Sequence, residues 1–175
     1  MDFIRGMLDR IVLVTGCVLA GCVPSFISQY RQRLGGQLDQ VLADISAFQQ
    51  IADKYHQGSL QELIQHHLNS NDATFFEEGT AVQKMLSTAE QLRQAAHALN
   101  ADLYHQVAYL LTGGLDQNIA KAAWITYTPS FVLSNEGIIF SLVAGILIWL
   151  VFLLFWRITG AFINLITGRY ATATL

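Results

Sequence analysis

The chain has 175 residues, 53 % apolar and only 13 % charged, with a formal net charge of −3. That length allows one modest domain, or two membrane helices with a small domain between them. Soluble domains carry about a quarter charged residues, so the balance points to a membrane, and with no Lys/Arg cluster to track phosphates, nucleic acid is excluded as a partner.

Met1 to Arg10 is short and mixed in charge. Ile11 to Ser28 reads IVLVTGCVLAGCVPSFIS, with no charge. This is at the lower edge of the roughly 17–25 residues that span a bilayer as a helix. Pro24 is expected to kink it or set its last turns apart. Gly16 and Ala20, echoed one residue on by Cys17 and Gly21, make one side small enough for close helix packing in lipid. Two other readings compete. One is a cleaved signal peptide. The other is a lipoprotein anchored at Cys22, because Leu19-Ala20-Gly21-Cys22 matches the pattern at which bacterial lipoproteins are cut and lipidated. Asp2 and Asp9 in the start, and an apolar run continuing past Cys22, favour an uncleaved first span. Cys17 and Cys22 are badly placed for a disulfide and read as small apolar residues.

Tyr30, Arg31 and Arg33 are expected to form a membrane-interface collar, their stems on the apolar boundary and their ends among headgroups. A solvated helix end is the plainer alternative. Gly35-Gly36 predicts a break, a bend or a close approach. Leu38 to Tyr55 is helical, with Leu38, Val41, Leu42, Ile45, Phe48, Ile51, Ala52 and Tyr55 in one apolar stripe. Ser59-Leu60-Gln61-Glu62 has capping-box form and opens a short helix to about Leu68. Asn69 to Gly79 is the least regular stretch, with Phe75-Phe76 expected to tuck into the neighbouring core. Thr80-Ala81-Val82-Gln83 repeats the capping-box form. From there Val82, Met85, Ala89, Leu92, Ala96, Leu99 and Leu103 alternate steps of three and four, as in a helix-packing seam. The expected partner is the Leu38–Tyr55 helix, with dimerisation as the runner-up. The helix is expected to continue through Val107 and Leu111 until Gly113-Gly114 end it. A short helix over Leu115 to Trp124 follows, and Trp124, Tyr127 and Phe131 return the chain to the membrane.

Gly137 to Trp156 reads GIIFSLVAGILIWLVFLLFW, without a charge. Ser141 is its only clearly polar side chain, expected to bond to its own helix backbone. Ser134-Asn135-Glu136 caps the start, Arg157 closes the end, and Trp156 fits an interfacial ring. The remainder reads as last turns and an interfacial tail, frayed from Ala171 to Leu175. The fold expected is an all-α membrane protein, with two transmembrane helices flanking a helical hairpin or small bundle. Its parts are 1–30 (first span), 31–133 (helical extramembrane domain), 134–158 (second span) and 159–175 (tail).

Orientation follows from charge. The stretch from residue 29 to 136 holds six Lys/Arg against eleven Asp/Glu, while Arg5, Arg10, Arg157 and Arg169 lie in the terminal segments. The positive-inside rule then favours cytoplasmic termini and a periplasmic middle.

The apolar start with its late proline leads into Tyr30-Arg31-Gln32-Arg33-Leu34-Gly35-Gly36. Ser70-Asn71-Asp72 with Phe75, and then Tyr127, Pro129, Leu133, Glu136 and Gly137, complete an ordered set. In these the chain resembles a bacterial membrane-protein family of unknown function, found mainly in proteobacteria. The resemblance implies a two-span inner-membrane protein with a helical middle, and supplies no mechanism.

No chemistry declares itself. His56, His66, His67, His97 and His105 lie in the middle without metal-site spacing, although one helix could present His97 and His105 on a similar face. Glu62, Asp72, Glu77 and Glu78 suggest no carboxylate pair for hydrolysis. No phosphate loop or nucleophile elbow appears. The expectation is therefore no catalytic residue, no metal, no cofactor and no enzyme. The function expected is a non-enzymatic inner-membrane interaction or structural protein, an accessory subunit or homo-oligomeric scaffold. Its partners would be membrane lipid and a second copy or another membrane protein. Candidate contacts are Arg31 and Arg33, with Met85, Leu92, Leu99 and Leu103. The rival is a small oligomeric channel or permeability factor, disfavoured by spans without internal charge.

Overall fold

A computed structural model describes the backbone from Asp2 to Ala171 and the side chains from Gly6 to Phe162. The side chains of Arg5 and Arg169, and most of the tail expected to fray, lie outside the described residues. Among the described residues the regular elements are all helical: α1 Asp2–Tyr55, α2 Leu60–Leu68, α3 Ala73–Ala98, α4 Leu103–Tyr109, a π turn at Leu110–Gly114, α5 Gln117–Ile125 and α6 Asn135–Ala171. Two apolar helices, α1 at the N-terminal end and α6 at the C-terminal end, thus flank a central helical bundle. Both are long and apolar enough to cross a membrane, consistent with a multi-pass membrane protein.

Neither Pro24 nor Gly35-Gly36 interrupts α1. Proline removes one backbone donor, a loss that helices in lipid absorb when turns on both sides are held. The glycines cost roughly 1 kcal/mol each. Against that, Tyr30 and Leu34 before them, and Ile45 and Ala52 after them, are buried on one face of the same helix. The predicted stripe is only partly covered, since Leu42, Ile51 and Tyr55 stay exposed.

The chain divides into two compact units, Met1–Phe26 with Thr128–Leu175, and Ile27–Tyr127. In the first unit, small residues set the approach of α1 to α6. A Cβ on Gly145 would lie 2.9 Å from both the Cα and the N of Cys17, so hydrogen alone fits there. A Cβ on Gly16 would sit 3.4 Å from the Ile148 Cγ2. Ala20 is buried, and Gly21 leaves room for the Phe131 ring. Ser141 donates to the Cys17 carbonyl oxygen at 2.7 Å, across the two helices rather than into its own backbone. The Ser25 and Ser130 hydroxyls are 2.6 Å apart. Ser134 accepts from the Gly137 N–H at 3.0 Å and caps α6, as its sequence implies. The helix then runs past Arg157 to Ala171.

In the second unit, side-chain caps define most of the helix starts. Ser59 accepts from the Glu62 N–H at 3.2 Å and opens α2, which ends at Leu68 as read. The start of α3 departs from expectation. Asp72 accepts from the Thr74 N–H at 2.8 Å, so the helix begins at Ala73. Thr80 lies inside it and donates to the Phe76 carbonyl oxygen at 3.1 Å. Phe75 and Phe76 are nearly half exposed instead of tucked away. The long helix also stops earlier than expected, at Ala98, and Asp102 starts α4 by accepting from the Tyr104 and His105 N–H groups at 3.0 and 3.1 Å. Gly113, at φ +109°, takes the left-handed conformation that closes the π turn at the expected glycine pair. The core centres on Tyr30, Leu34, Leu99 and Ile119, with Leu92, Ala95 and Ala96 packed against it.

Candidate functional site: the α1 surface beyond the first span

The first turns of α1 after Ser28 gather the groups with the most chemical reach. Tyr30 corrects its expected place in an exposed collar, because the ring is fully buried against Leu99 and Ile119. Its hydroxyl accepts from the Asp116 N–H at 3.0 Å, tying α1 to the start of α5. Tyr30 is thereby a structural anchor.

Arg31 and Arg33 diverge around the helix, both exposed. Arg31 borders a groove of about 390 Å³ whose rim includes Ser28 and Gln32 and whose floor includes Leu34, Ala96 and Leu99. Arg33 borders a second groove of about 380 Å³ with Gln29, Gln32, Ala123 and Thr126. No Asp or Glu lines either groove. Among the described residues the ion pairs are His67–Glu78, Arg93–Glu90 and His105–Asp102, so neither arginine has a carboxylate partner. On α5, Ile119 and Ala123 face inward while Trp124 and Ile125 are 67 % and 74 % exposed. The Trp124 ring stacks on Tyr127 with centroids 5.6 Å apart.

The expected packing residues divide by region. Gly16 and Ala20 lie on the buried small face of α1. Leu99 and Leu103 are buried, while Met85 and Leu92 are half-buried, Leu92 against the core. Leu99 and Leu103 are therefore spent inside the chain and corrected as contacts for a partner. Leu99 meets α1 at Tyr30 and Leu34, nearer the first span than the stretch proposed as its mate. At the far end of the second apolar run, Trp156 is partly exposed and tilts against Phe152 at 6.0 Å, with Arg157 exposed beside it.

The histidines do not converge on a metal. Among the described residues no group of three His, Cys, Asp or Glu side chains has the required geometry. The break before Asp102 puts His97 and His105 on different helices. His105 Nδ1 lies 2.6 Å from Asp102 Oδ2. Hydrogen bonds from the His105 backbone N–H, then from its ring, hold the Asp102 carboxyl below its ordinary value of 3.8. His56, His66 and His67 follow one another at ring distances of 5.4 and 6.2 Å, ending on Phe75 and Glu78. Cys17 and Cys22 form no disulfide.

Sequence reading missed Gly145, Ser130 and the capping roles of Asp102 and Asp116. The two aspartates carried a usable signal, since each sits just before a helical run. Gly145 carried none, because its partner Cys17 is remote in sequence.

A family model described as "Protein of unknown function (DUF2937)" matches residues 4–164. No curated protein and no solved structure matches the chain.

Proposed function

We propose a function for this chain, which belongs to the DUF2937 family, as a non-enzymatic two-span inner-membrane protein of proteobacterial type. The helical middle serves as an interaction or structural module, either an accessory subunit or a homo-oligomeric scaffold, on the periplasmic side with both termini cytoplasmic. The observation that carries this reading is the surface of α6. Only 11 % of its most apolar stretch is buried within the chain. Leu147, Val151 and Phe155 point outward at 56 %, 67 % and 66 % exposure, an area that needs lipid or another apolar helix. The small face of α1 that could have packed copies around a pore is filled within the chain, by Gly145, Ile148 and Phe131. Recognition then falls to apolar side chains of α1 that stay exposed on the middle, Leu42 on one side of the helix and Ile51 with Tyr55 on the other.

The test is cross-linking in intact membranes from single cysteines at Leu42 and Ile51, in a chain carrying Cys17→Ala and Cys22→Ala. A discrete adduct, self or non-self, is expected, in membranes that keep the chain through alkaline extraction. Release of the chain by alkali, or only a monomer with no adduct at either position, refutes the proposal.

A further inference from the structure

Arg31 and Arg33 follow three and five residues after Ser28, the end of the first apolar run. The run ends at Ser28 and α1 continues unbroken through Tyr55. At 1.5 Å per residue, Arg31 and Arg33 stand about 4.5 and 7.5 Å further along the axis. The headgroup layer of a bilayer is about 5–8 Å thick on each side of the hydrocarbon. Both guanidinium groups therefore start from backbone positions at headgroup depth.

Their surroundings match a phosphate diester. Each groove offers one arginine with amide or hydroxyl donors, Gln32 and Ser28 on one side and Gln29, Gln32 and Thr126 on the other. Neither contains a competing carboxylate. Arginine presents planar paired donors to phosphate oxygens and is weakly hydrated, which suits a half-desolvated boundary. The floor of the Arg31 groove, with Leu34, Ala96 and Leu99, is apolar and fits the glycerol end of a lipid rather than a free anion. Beside the Arg33 groove, Trp124 and Ile125 are exposed at the end of α5, where an amphipathic indole is favoured between headgroup and acyl chain.

We propose that these two grooves are binding sites for anionic phospholipid, with Arg31 and Arg33 each holding a headgroup phosphate. The proposal rests on the membrane reading above. Near a membrane surface each Lys or Arg contributes about a fivefold preference for anionic lipid.

The experiment uses the full chain in nanodiscs of phosphatidylcholine with a minority of phosphatidylglycerol, and native mass spectrometry to count retained lipids. R31Q and R33Q are each expected to lower the phosphatidylglycerol-to-phosphatidylcholine ratio about 1.7-fold, because the other groove keeps its preference, and the double variant about fivefold. R31K/R33K should keep part of the preference, and R93Q should keep all of it. Circular dichroism confirms folding of each variant, which the exposure of both arginines favours. An unchanged ratio in R31Q/R33Q overturns the proposal while leaving the membrane reading intact. Displacement of the lipid by inorganic phosphate also overturns it, by showing a site for a soluble anion. Loss of the chain from membranes under alkali sinks the membrane reading itself and is scored separately.

Discussion

The two units solve helix packing by opposite means. Between α1 and α6 the contacts are made by what is missing: Gly145 against Cys17, Gly16 against Ile148, Gly21 against Phe131. Hydroxyl groups add the directional bonds, Ser141 to the Cys17 carbonyl oxygen and Ser25 to Ser130. In the middle unit the contacts are made by bulk, with Tyr30, Leu34, Leu99 and Ile119 filling one core. Asp72, Asp102 and Asp116 open its helices. The difference matches what hydrocarbon and water would each dictate. In hydrocarbon, burying a leucine against another helix gains little over leaving it in lipid, so close approach and hydrogen bonds must hold the pair. In water, apolar burial drives association and charged caps are cheaply solvated.

Changing volume in opposite directions tests that contrast most strongly. Leu99→Ala empties the centre of the middle unit's core and should cost about 3 kcal/mol, seen as a lowered melting temperature of the purified chain in mild detergent. Leu147→Ala, on the exposed side of α6, should leave that temperature unmoved. Equal losses from both would erase the distinction. Gly145→Leu should come next, at about 2 kcal/mol, because the new side chain meets the Cys17 backbone and the two helices must separate. Its readout is local: the Gly16–Ile148 contact, probed by a disulfide between cysteines placed there in a chain lacking Cys17 and Cys22, should form more slowly. Unchanged disulfide formation would contradict the close approach.

Much of this architecture was legible, and the failures have a common cause. Ser59 was readable as a cap because its partner, Glu62, is three residues away. The small face through Gly16 and Ala20 was readable because helical spacing alone places those residues together. Both apolar helices were evident from composition. Tyr30 was misassigned because an aromatic residue after an apolar run suits an interface and a core equally well. The decision came from Asp116, 86 residues later. Thr80 misled because its pattern also occurs within a helix already begun at Asp72. The seam was read as one helix, but α3 ends at Ala98 and Leu103 belongs to α4, and which part of α1 meets Leu99 depends on how the short helices α4 and α5 fold back. Periodicity identifies a face and says nothing of what covers it. The arginine grooves were half legible: the charges and their nearness to the span were visible, and the lining by Ala96, Leu99, Ala123 and Thr126 was not.

Hydroxyl groups offer a finer comparison. Tyr30→Phe removes the acceptor for the Asp116 N–H and should cost about 1.5 kcal/mol, since a half-buried donor is left unpaired. Ser141→Ala removes a bond of similar length between the two spans, at 2.7 Å. Its expected cost is lower, about 0.6 kcal/mol, because donors in an unfolded membrane helix also find partners. Thermal unfolding of the two variants in one detergent ranks them, and a larger loss for Ser141→Ala would reverse the account of the two solvents.

The smallest effect separates the units by charge alone. Asp102 caps α4 as a carboxylate held below its ordinary value of 3.8 by His105. A group with a depressed folded value adds stability that is fully present above the unfolded value and is lost as pH falls through the folded one. Asp102→Ala should therefore lower stability slightly near neutrality, through loss of the cap. The gap between parent and variant should stay level down to pH 3.8 and narrow below it. Asp102→Asn keeps a capping oxygen without the ionisation, so its own gap from Asp102→Ala should not narrow. Ser134 caps α6 with a hydroxyl that does not titrate, and the cost of Ser134→Ala should stay level across the same range. Melting series for these variants between neutral pH and about pH 3, in one detergent, decide the matter. A Ser134→Ala gap that closed in step with that of Asp102→Ala would mean that acid loosens both units together, and the division into a closely approached pair and a bulk-packed bundle would lose its energetic basis.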